Sequence, residues 1–244
     1  MKINTTLQIG EFHTNYCEDF LVVAQIATKE KLIAVLDGCT MGTESVFASM
    51  LYGKVLRKIA KQFFYEEFYN SIEIPLEGKI KAILKELFKQ TNLLKNQLGL
   101  DINELLSTMI LGVVDTENSR ADLITIGDGL IFWDGELIEY EQNNIPDYLG
   151  YHLSENFEEW FQAQNQKLTV ENFKNLSIST DGIFTFKDLR KGGRQKPETE
   201  IINFLLVDEE NSQYENFLDR KIRFLKNEMN QVVTDDLAII RLMN

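Results

Sequence analysis

The sequence predicts an α+β protein in which antiparallel sheets carry helices on their outer faces. Two observations predict this class. Short apolar runs rich in β-branched residues precede, separate and follow pairs of longer segments whose apolar residues recur every three or four positions. Strands and helices also do not alternate one by one, as they would in a doubly wound parallel sheet. The amino-acid composition shows no abrupt change along the 244 residues that would mark a domain boundary, so we expect a single domain spanning 1–244.

The first half of the chain predicts a hairpin followed by two long helices. Apolar runs at 20–27 and 32–36 flank a short polar stretch, which is the pattern of an antiparallel hairpin. Segments 45–69 and 77–98 then show the helical period, and Pro75 separates them. Both helices are amphipathic, so each has an apolar face that can pack on a sheet.

The second half predicts further strands and three helices. Short runs broken by polar or Gly turns predict an antiparallel meander, with strands at 108–114, 122–126, 130–133 and 137–140. Later strands are predicted at 175–180 and 237–242, and helices at 155–164, 198–206 and 212–229. Residues 187–197 contain two adjacent Gly and five basic side chains, which predicts a mobile surface loop.

Composition and charge disfavour several kinds of partner. The formal net charge of −13 opposes attraction to nucleic acid or to an anionic membrane. No run of about 18 apolar residues is present to span a bilayer, and the first residues lack the pattern of a signal peptide. Only two Cys occur, Cys17 and Cys39, which suits a reducing compartment. We therefore expect a cytoplasmic protein that is a monomer.

Acidic residues stand at the ends of several apolar runs, in the pairs Asp37-Gly38, Gly127-Asp128, Asp181-Gly182 and Asp235-Asp236. An apolar strand fixes its last residue to the core, so acids at strand ends can meet at one edge of a sheet. Such a cluster repels itself unless cations bind. Oxygen ligands favour Mg²⁺ or Mn²⁺ over Zn²⁺. The Gly38 carbonyl could bind a metal beside Asp37, because Gly lets the backbone approach a ligand closely.

Each of these pairs also has a purely structural interpretation. An Asp-Gly pair is an ordinary strand-end turn, which explains Asp37-Gly38 or Asp181-Gly182 when either is considered singly. A turn between two strands explains Gly127-Asp128 nearly as well. Taken together as an ordered set, the pairs favour a metal site over a series of turns.

The ordered set resembles one protein family along the whole chain. The matching motifs are Glu18-Asp19, Val35-Leu36-Asp37-Gly38, Leu106-Ser107-Thr108, Ile126-Gly127-Asp128, Tyr148-Leu149-Gly150, Ser179-Thr180-Asp181-Gly182 and Asp235-Asp236-Leu237-Ala238. The chain is similar to the metal-dependent protein phosphatases of type 2C. The stretch that follows Asp37-Gly38 resembles a divergent bacterial branch, since Cys39 stands where the eukaryotic form has His.

The resemblance implies a four-layer αββα sandwich of two central antiparallel sheets flanked by helices. It also implies a binuclear Mn²⁺ or Mg²⁺ centre in the cleft between the sheets. Asp37 would bridge both metals, the Gly38 carbonyl would bind one, and Asp181 and Asp235 would bind the other. Asp128 would help to hold a further, weaker metal. Glu18 and Asp19 would act mainly through metal-bound waters.

The chain departs from the family pattern at the position of the residue that binds the substrate phosphate. The family usually carries an Arg about five residues before the position of Asp19, where this chain has Thr14 with His13 beside it. His13 could replace the Arg when protonated, or it could be a surface or hydrogen-bonding residue. Near the C-terminus, Asp235-Asp236 replaces the usual Asp-Asn, so Asp236 is a second candidate for the metal.

The resemblance implies a metal-dependent serine/threonine protein phosphatase acting on a phosphorylated protein. A metal-activated water would hydrolyse the phosphomonoester directly, with no phosphoenzyme. Two alternatives remain open: a phosphatase-like binding module with weak or no activity, and a phosphoesterase acting on small molecules. The missing Arg motivates the first alternative, and the retained acids argue against it.

Overall fold

Two five-stranded antiparallel sheets lie at the centre of the computed structural model, which describes residues 1–67, 74–141 and 146–244. Sheet 1 has the spatial order β1 (Lys2–Gln8), β12 (Leu237–Met243), β9 (Asn175–Ser179), β6 (Gly129–Trp133) and β7 (Glu136–Tyr140). Sheet 2 has the order β2 (Phe20–Ala27), β3 (Glu30–Gly38), β4 (Ser107–Asp115), β5 (Arg120–Ile126) and β8 (Lys167–Val170). A separate antiparallel ribbon pairs β10 (Phe186–Lys187) with β11 (Val232–Val233).

Helices cover the outer face of each sheet. The pair that packs on sheet 2 is α1 (Ser45–Glu67) and α2 (Leu76–Leu98). The pair that packs on sheet 1 is α5 (Glu198–Leu206) and α6 (Phe217–Asn227). Two short helices, α3 (Leu149–His152) and α4 (Phe157–Ala163), lie on the side of α2. This arrangement of helices, sheet, sheet and helices confirms the predicted fold class.

The strand period of two divides the core into layers. In β3, Leu32, Ala34 and Leu36 face α1 and α2, whereas Ile33 and Val35 face sheet 1. Contacts on both faces hold the central strands, so residues at the strand ends have fixed positions. This rigidity is what allows distant acids to form one site.

Most of the predicted elements are confirmed. The hairpin is β2 and β3, the two long helices are α1 and α2, and the later helices and strands lie close to their predicted positions. The predicted end of the first helix, Tyr69, lies outside the described residues. The sequence pattern does not predict β1, because polar Asn4 and Thr6 are the buried residues of that strand, at 2% and 3% exposure.

The prediction of one meander over 108–140 is wrong. β4 and β5 pair in sheet 2, whereas β6 and β7 pair in sheet 1. The chain crosses between the sheets at Gly127-Asp128, where Gly127 has a φ of 88°, a conformation that favours Gly. Hydrophobic periodicity indicates the strands, but it does not indicate the sheet to which each strand belongs.

Two further predictions concern the surface. Of the surface loop predicted at 187–197, residues 188–197 form a loop between β10 and α5 whose residues are mostly exposed, whereas Lys187 is the last residue of β10. No helix in the described part of the chain has the length and apolar character needed to cross a membrane.

Candidate active site

Sheet 2 contributes two acids at one of its ends. Asp37 is the penultimate residue of β3, and Asp19 immediately precedes β2. Phe20 pairs with Leu36 in the antiparallel register, so Asp19 lies beside Asp37. The predicted convergence of separated acids therefore begins with two neighbouring strands.

Sheet 1 contributes acids from the adjacent edge. Asp181 follows the end of β9, and Asp235 and Asp236 directly precede β12. Because β9 and β12 pair antiparallel, the end of one strand meets the start of the other. Asp128 stands at the crossover between the sheets, so acids from both sheets meet at one edge of the sandwich.

Asp19, which is buried, and Asp37, which is half-buried, form the centre of this cluster. Their carboxyl groups are close enough to share a hydrogen bond. The Thr180 hydroxyl donates to Asp19 Oδ2 at 2.6 Å, so a residue of sheet 1 positions an acid of sheet 2. Burial raises the pKa of both carboxyls well above the usual range, and the charges of Asp236 and Asp181 add to this for Asp19. Asp19 Oδ1 is buried and receives no hydrogen bond from a hydroxyl, amide or amine of the described residues.

The other acids of the cluster also interact with one another. Burial and the charges of Asp128 and Asp235 raise the pKa of Asp181 to about 7. Burial also raises the pKa of Asp128, against the effect of a hydrogen bond from Thr108. A bound cation would reverse these shifts, because an opposite charge favours the ionised form of each carboxyl.

The donor set suits a hard divalent cation. Its side chains supply oxygen ligands. Asp19 Oδ1, which has no hydrogen-bond donor among the described residues, can accept a hydrogen bond from a metal-bound water. Within the described residues, no three His, Cys, Asp or Glu side chains already converge as ligands of one ion.

Two glycines allow the backbone to pack tightly beneath the cluster. A Cβ on Gly38 would collide with the backbone oxygens of Ser45 and Glu18, and the Gly38 N–H donates to the Glu18 carbonyl at 3.1 Å. A Cβ on Gly182 would collide with the Asp236 carbonyl. The Gly that follows each Asp is thus required by close approach of other segments.

Asp235 and Asp236 have different environments. Asp236 is buried, and its carboxylate accepts hydrogen bonds from the backbone N–H of Gly10, at 2.7 Å, and of Glu18. The Asp235 side chain is 53% exposed and lies near Asp181. Asp236 is therefore occupied in holding the backbone, whereas Asp235 remains available to a ligand.

The two predicted phosphate-binding residues differ in position. His13 contacts both acids, with Nδ1 at 2.9 Å from Asp236 Oδ2 and Nε2 at 3.5 Å from Asp235 Oδ1. Burial opposes the charged imidazole, but its contacts with Asp236, Asp235 and Glu18 outweigh burial and raise the pKa of His13. Thr14 is exposed. The structure thus brings His13 to the cluster, with both of its nitrogens facing carboxylates.

Some residues of the site are not identified by the sequence as functional. The Thr40 hydroxyl donates to the buried Glu18 carboxylate at 2.8 Å, as Thr180 does to Asp19. The Tyr148 hydroxyl interacts with Cys39 and with the charges of Asp37 and Asp128. Thr180 and Tyr148 lie within matched motifs, but only the fold shows what their hydroxyl groups contact.

Comparisons with known proteins identify the family and show similar folds. The family model described as protein phosphatase 2C matches residues 13–234. The fold is similar to a mutant bacterial serine phosphatase, with 14% identity over 100% of this chain and 98% of the other, and a TM-score of 0.67. Stp1, a serine/threonine phosphatase from Staphylococcus aureus, gives 14% identity over 100% and 94% of the two chains, and a TM-score of 0.65.

A third similar structure is the SiaA PP2C domain of Pseudomonas aeruginosa. It gives 15% identity over 99% of this chain and 85% of the other, with a TM-score of 0.58. A search of curated proteins finds no match. The family model covers most of the chain, and its matched span contains Asp19, Asp37, Asp128 and Asp181. The chain therefore belongs to the protein phosphatase 2C family and is a phosphatase of that type.

Proposed function

We propose that this protein hydrolyses phosphoserine or phosphothreonine in proteins at a binuclear Mn²⁺ or Mg²⁺ centre. The observation that carries the proposal is the contact between the buried Asp19 and the half-buried Asp37 carboxyls, beside which Asp19 Oδ1 receives no hydrogen bond from any other described residue. A polar atom left unpartnered in the interior is costly. A water bound to divalent cations would satisfy this oxygen, and the cations would offset the charge that the acids share.

The proposed ligands come from both sheets. Asp37 would contact both cations, the Gly38 carbonyl would contact one, and Asp181 and Asp235 would contact the other. Asp128 would serve a weaker third site. When bound, such cations make a water more acidic and offset the negative charge of phosphate oxygens.

Two hydroxyl groups have the role of positioning acids of the site in the proposed mechanism. Thr180 holds Asp19 and Thr40 holds Glu18, each by a hydroxyl hydrogen bond, so both acids have defined orientations. These acids would orient the attacking water. Hydroxyl donors of this kind position acids without adding charge.

His13 and Thr14 are the residues proposed to face the phosphate. The elevated pKa of His13 favours its cationic form, which is attracted to a phosphate. His13 now contacts Asp235 and Asp236, so a phosphate would compete with these carboxylates. The proposal accordingly places phosphate binding on the metals as well as on His13.

Hydrolysis assays test the proposal directly. Wild-type protein is expected to hydrolyse an aryl phosphate and a phosphothreonine peptide in Mn²⁺, and to lose both activities in EDTA. Asp37→Asn and Asp181→Asn should lower kcat by at least about 100-fold while remaining folded. Asp115→Asn is the matched control, because Asp115 ends β4 at the opposite edge of sheet 2; its kcat should stay within about twofold of wild type.

The same assays separate the alternatives. Undiminished activity in EDTA, or in both active-site variants, would refute the metal mechanism. Inactivity of wild type with every substrate would favour a non-catalytic module, which the missing Arg motivates. Hydrolysis of nucleotides or sugar phosphates in preference to phosphopeptides would indicate a phosphoesterase of small molecules.

A further inference from the structure

A short ribbon connects the loop that follows β10 to the segments that carry Asp181 and Asp235. β10 begins shortly after Asp181, and its partner β11 ends just before Asp235, so the ribbon joins the loop to both acids. At its far end, Lys196 donates its backbone N–H to Gln231 Oε1 at 3.2 Å. Residues 187–196, called here the basic loop, begin with the last residue of β10 and are thus anchored at both ends.

The basic loop has a charge opposite to that of the whole chain. It carries five of the 25 basic residues, namely Lys187, Arg190, Lys191, Arg194 and Lys196, and one of the 38 acids, Asp188. The protein as a whole has a formal charge of −13. A local concentration of positive charge on an acidic protein attracts acidic segments selectively.

Contacts within the loop leave part of its positive charge available. Asp188 forms an ion pair with Arg190 and accepts the backbone N–H of Arg194 at 2.9 Å, and Lys196 pairs with Glu200. The side chains of Lys191 and Arg194 are exposed and form no ion pair within the described residues. Asp188 therefore shapes the loop and neutralises Arg190, while no ion pair with a described residue neutralises Lys191 or Arg194.

An exposed aromatic side chain borders the loop. Phe12 is 63% exposed, and Lys187 Nζ lies 5.9 Å from the centre of its ring. The Phe12 backbone N–H donates to the Thr234 carbonyl at 3.1 Å, one residue before Asp235. Phe12 thus lies between Lys187 of the basic loop and the segment that carries Asp235.

We propose that the basic loop and Phe12 bind an acidic segment flanking the phosphorylated residue of a protein substrate. The inference rests on the proposed function, since it names the class of substrate for the same site. Lys191 and Arg194 would pair with Asp or Glu side chains of the segment. The unusual positive charge beside a negative centre is the observation that favours an acidic peptide over a neutral one.

Peptide binding in EDTA tests the inference without depending on catalysis. Fluorescence anisotropy would compare two phosphothreonine peptides, one with acidic flanks and one with neutral flanks. Wild type should bind the acidic peptide about tenfold more tightly at low salt. The double variant Lys191→Glu with Arg194→Glu should lose this preference and bind the neutral peptide within about twofold of wild type.

The matched control is Lys54→Glu with Arg223→Glu. Both residues are exposed on helices, form no ion pair within the described residues, and give the same change in net charge. This control should keep the preference within about twofold. Equal binding of the two peptides by wild type, or equal loss in both double variants, would overturn the inference.

Two further results keep the inference separate from the proposed function. Absence of metal-dependent hydrolysis together with a retained preference for the acidic peptide would refute the proposed phosphatase activity and support the docking surface. Metal-dependent hydrolysis of an aryl phosphate without a preference for the acidic peptide would support the phosphatase activity and overturn the docking surface. Binding of a single-stranded RNA as tightly as the acidic peptide would overturn the assignment to a protein segment.

Discussion

Asp235 and Asp236 are neighbours in the chain but are held in different ways. Asp236 accepts two backbone N–H groups, from Gly10 and Glu18, and contacts His13. These contacts join the segment before β12 to both ends of the segment between β1 and β2. Asp236 therefore stabilises the site, and the proposal assigns the metal to the exposed Asp235.

Replacing Asp236 by Ala should destabilise the protein. The backbone N–H groups of Gly10 and Glu18 would be left without an acceptor in a buried place, which costs about 2–4 kcal/mol in total. Chemical denaturation would measure the free energy of unfolding. Asp235→Ala is the control and should cost less than about 1 kcal/mol; an equal loss in both variants would contradict the distinction.

His152 should make stability depend on pH. Nε2 lies 2.6 Å from Asp147 Oδ1 and Nδ1 lies 2.9 Å from Glu155 Oε1. Burial favours the neutral ring, but these two carboxylates outweigh it and raise the pKa of His152 above 6.5. The stabilisation from charged His152 is therefore fully present below pH 6.5 and is lost as pH rises through the higher folded pKa.

Measurements of the free energy of unfolding from about pH 6 to about pH 9 would check this dependence, because this range spans the usual histidine pKa of about 6.5. The difference in free energy of unfolding between wild type and His152→Gln should be largest at the acidic end and shrink as pH rises. A difference that is constant, or that grows with pH, would contradict the assigned direction.

The acids of the site could be predicted at the residue scale because each follows or precedes an apolar strand. Asp37 and Asp181 therefore stand out in the sequence. The partners that orient acids could not be predicted: Thr180 reaches Asp19 only because β9 and β2 belong to facing sheets. Hydroxyl residues are common at strand ends, so nothing in the sequence marks Thr180 as a positioning residue.

At the scale of single elements, a buried arginine joins the end of α5 to sheet 1. Arg241 in β12 is fully buried and donates to Asn175 Oδ1 at 3.2 Å. It also donates to three carbonyls at the end of α5, those of Leu205, Val207 and Asp208. A cation at the C-terminus of a helix satisfies carbonyls that have no partner within the helix.

Arg241→Met should therefore destabilise the protein by roughly 3 kcal/mol, because several buried acceptors lose a charged donor. Denaturant titration would measure this loss. Arg223→Met, on the exposed face of α6, should change the free energy of unfolding by less than about 0.5 kcal/mol. Equal stability of the Arg241 and Arg223 variants would show that the buried contacts contribute nothing.

Elements with strong periodicity are predicted from the sequence, and elements with polar interiors are not. α2 has an apolar stripe that includes Ile80, Ile83 and Leu87, and its predicted position is nearly correct. β1 buries Asn4 and Thr6 instead, so its pattern resembles a loop. A strand of this kind is stabilised by pairing with β12, which a local pattern does not contain.

At the scale of the whole molecule, the site depends on the meeting of two sheets. The sequence predicts strands and outer helices, but it does not show that β5 and β6 belong to different sheets. The crossover at Gly127-Asp128 is decided by packing between distant strands. Resemblance to the protein phosphatase 2C family predicted the sandwich of two sheets. The structure shows that the acids of the candidate site come from both sheets.

The central claim is that acids from both sheets bind divalent cations together. Calorimetric titration with Mn²⁺ tests it most directly, since Asp37 is the proposed ligand shared by both ions. We predict binding of two Mn²⁺ ions per chain in wild type and loss of at least one in Asp37→Asn, with Asp115→Asn unchanged. No binding by wild type at millimolar Mn²⁺, or the same binding in wild type and Asp37→Asn, would contradict the claim.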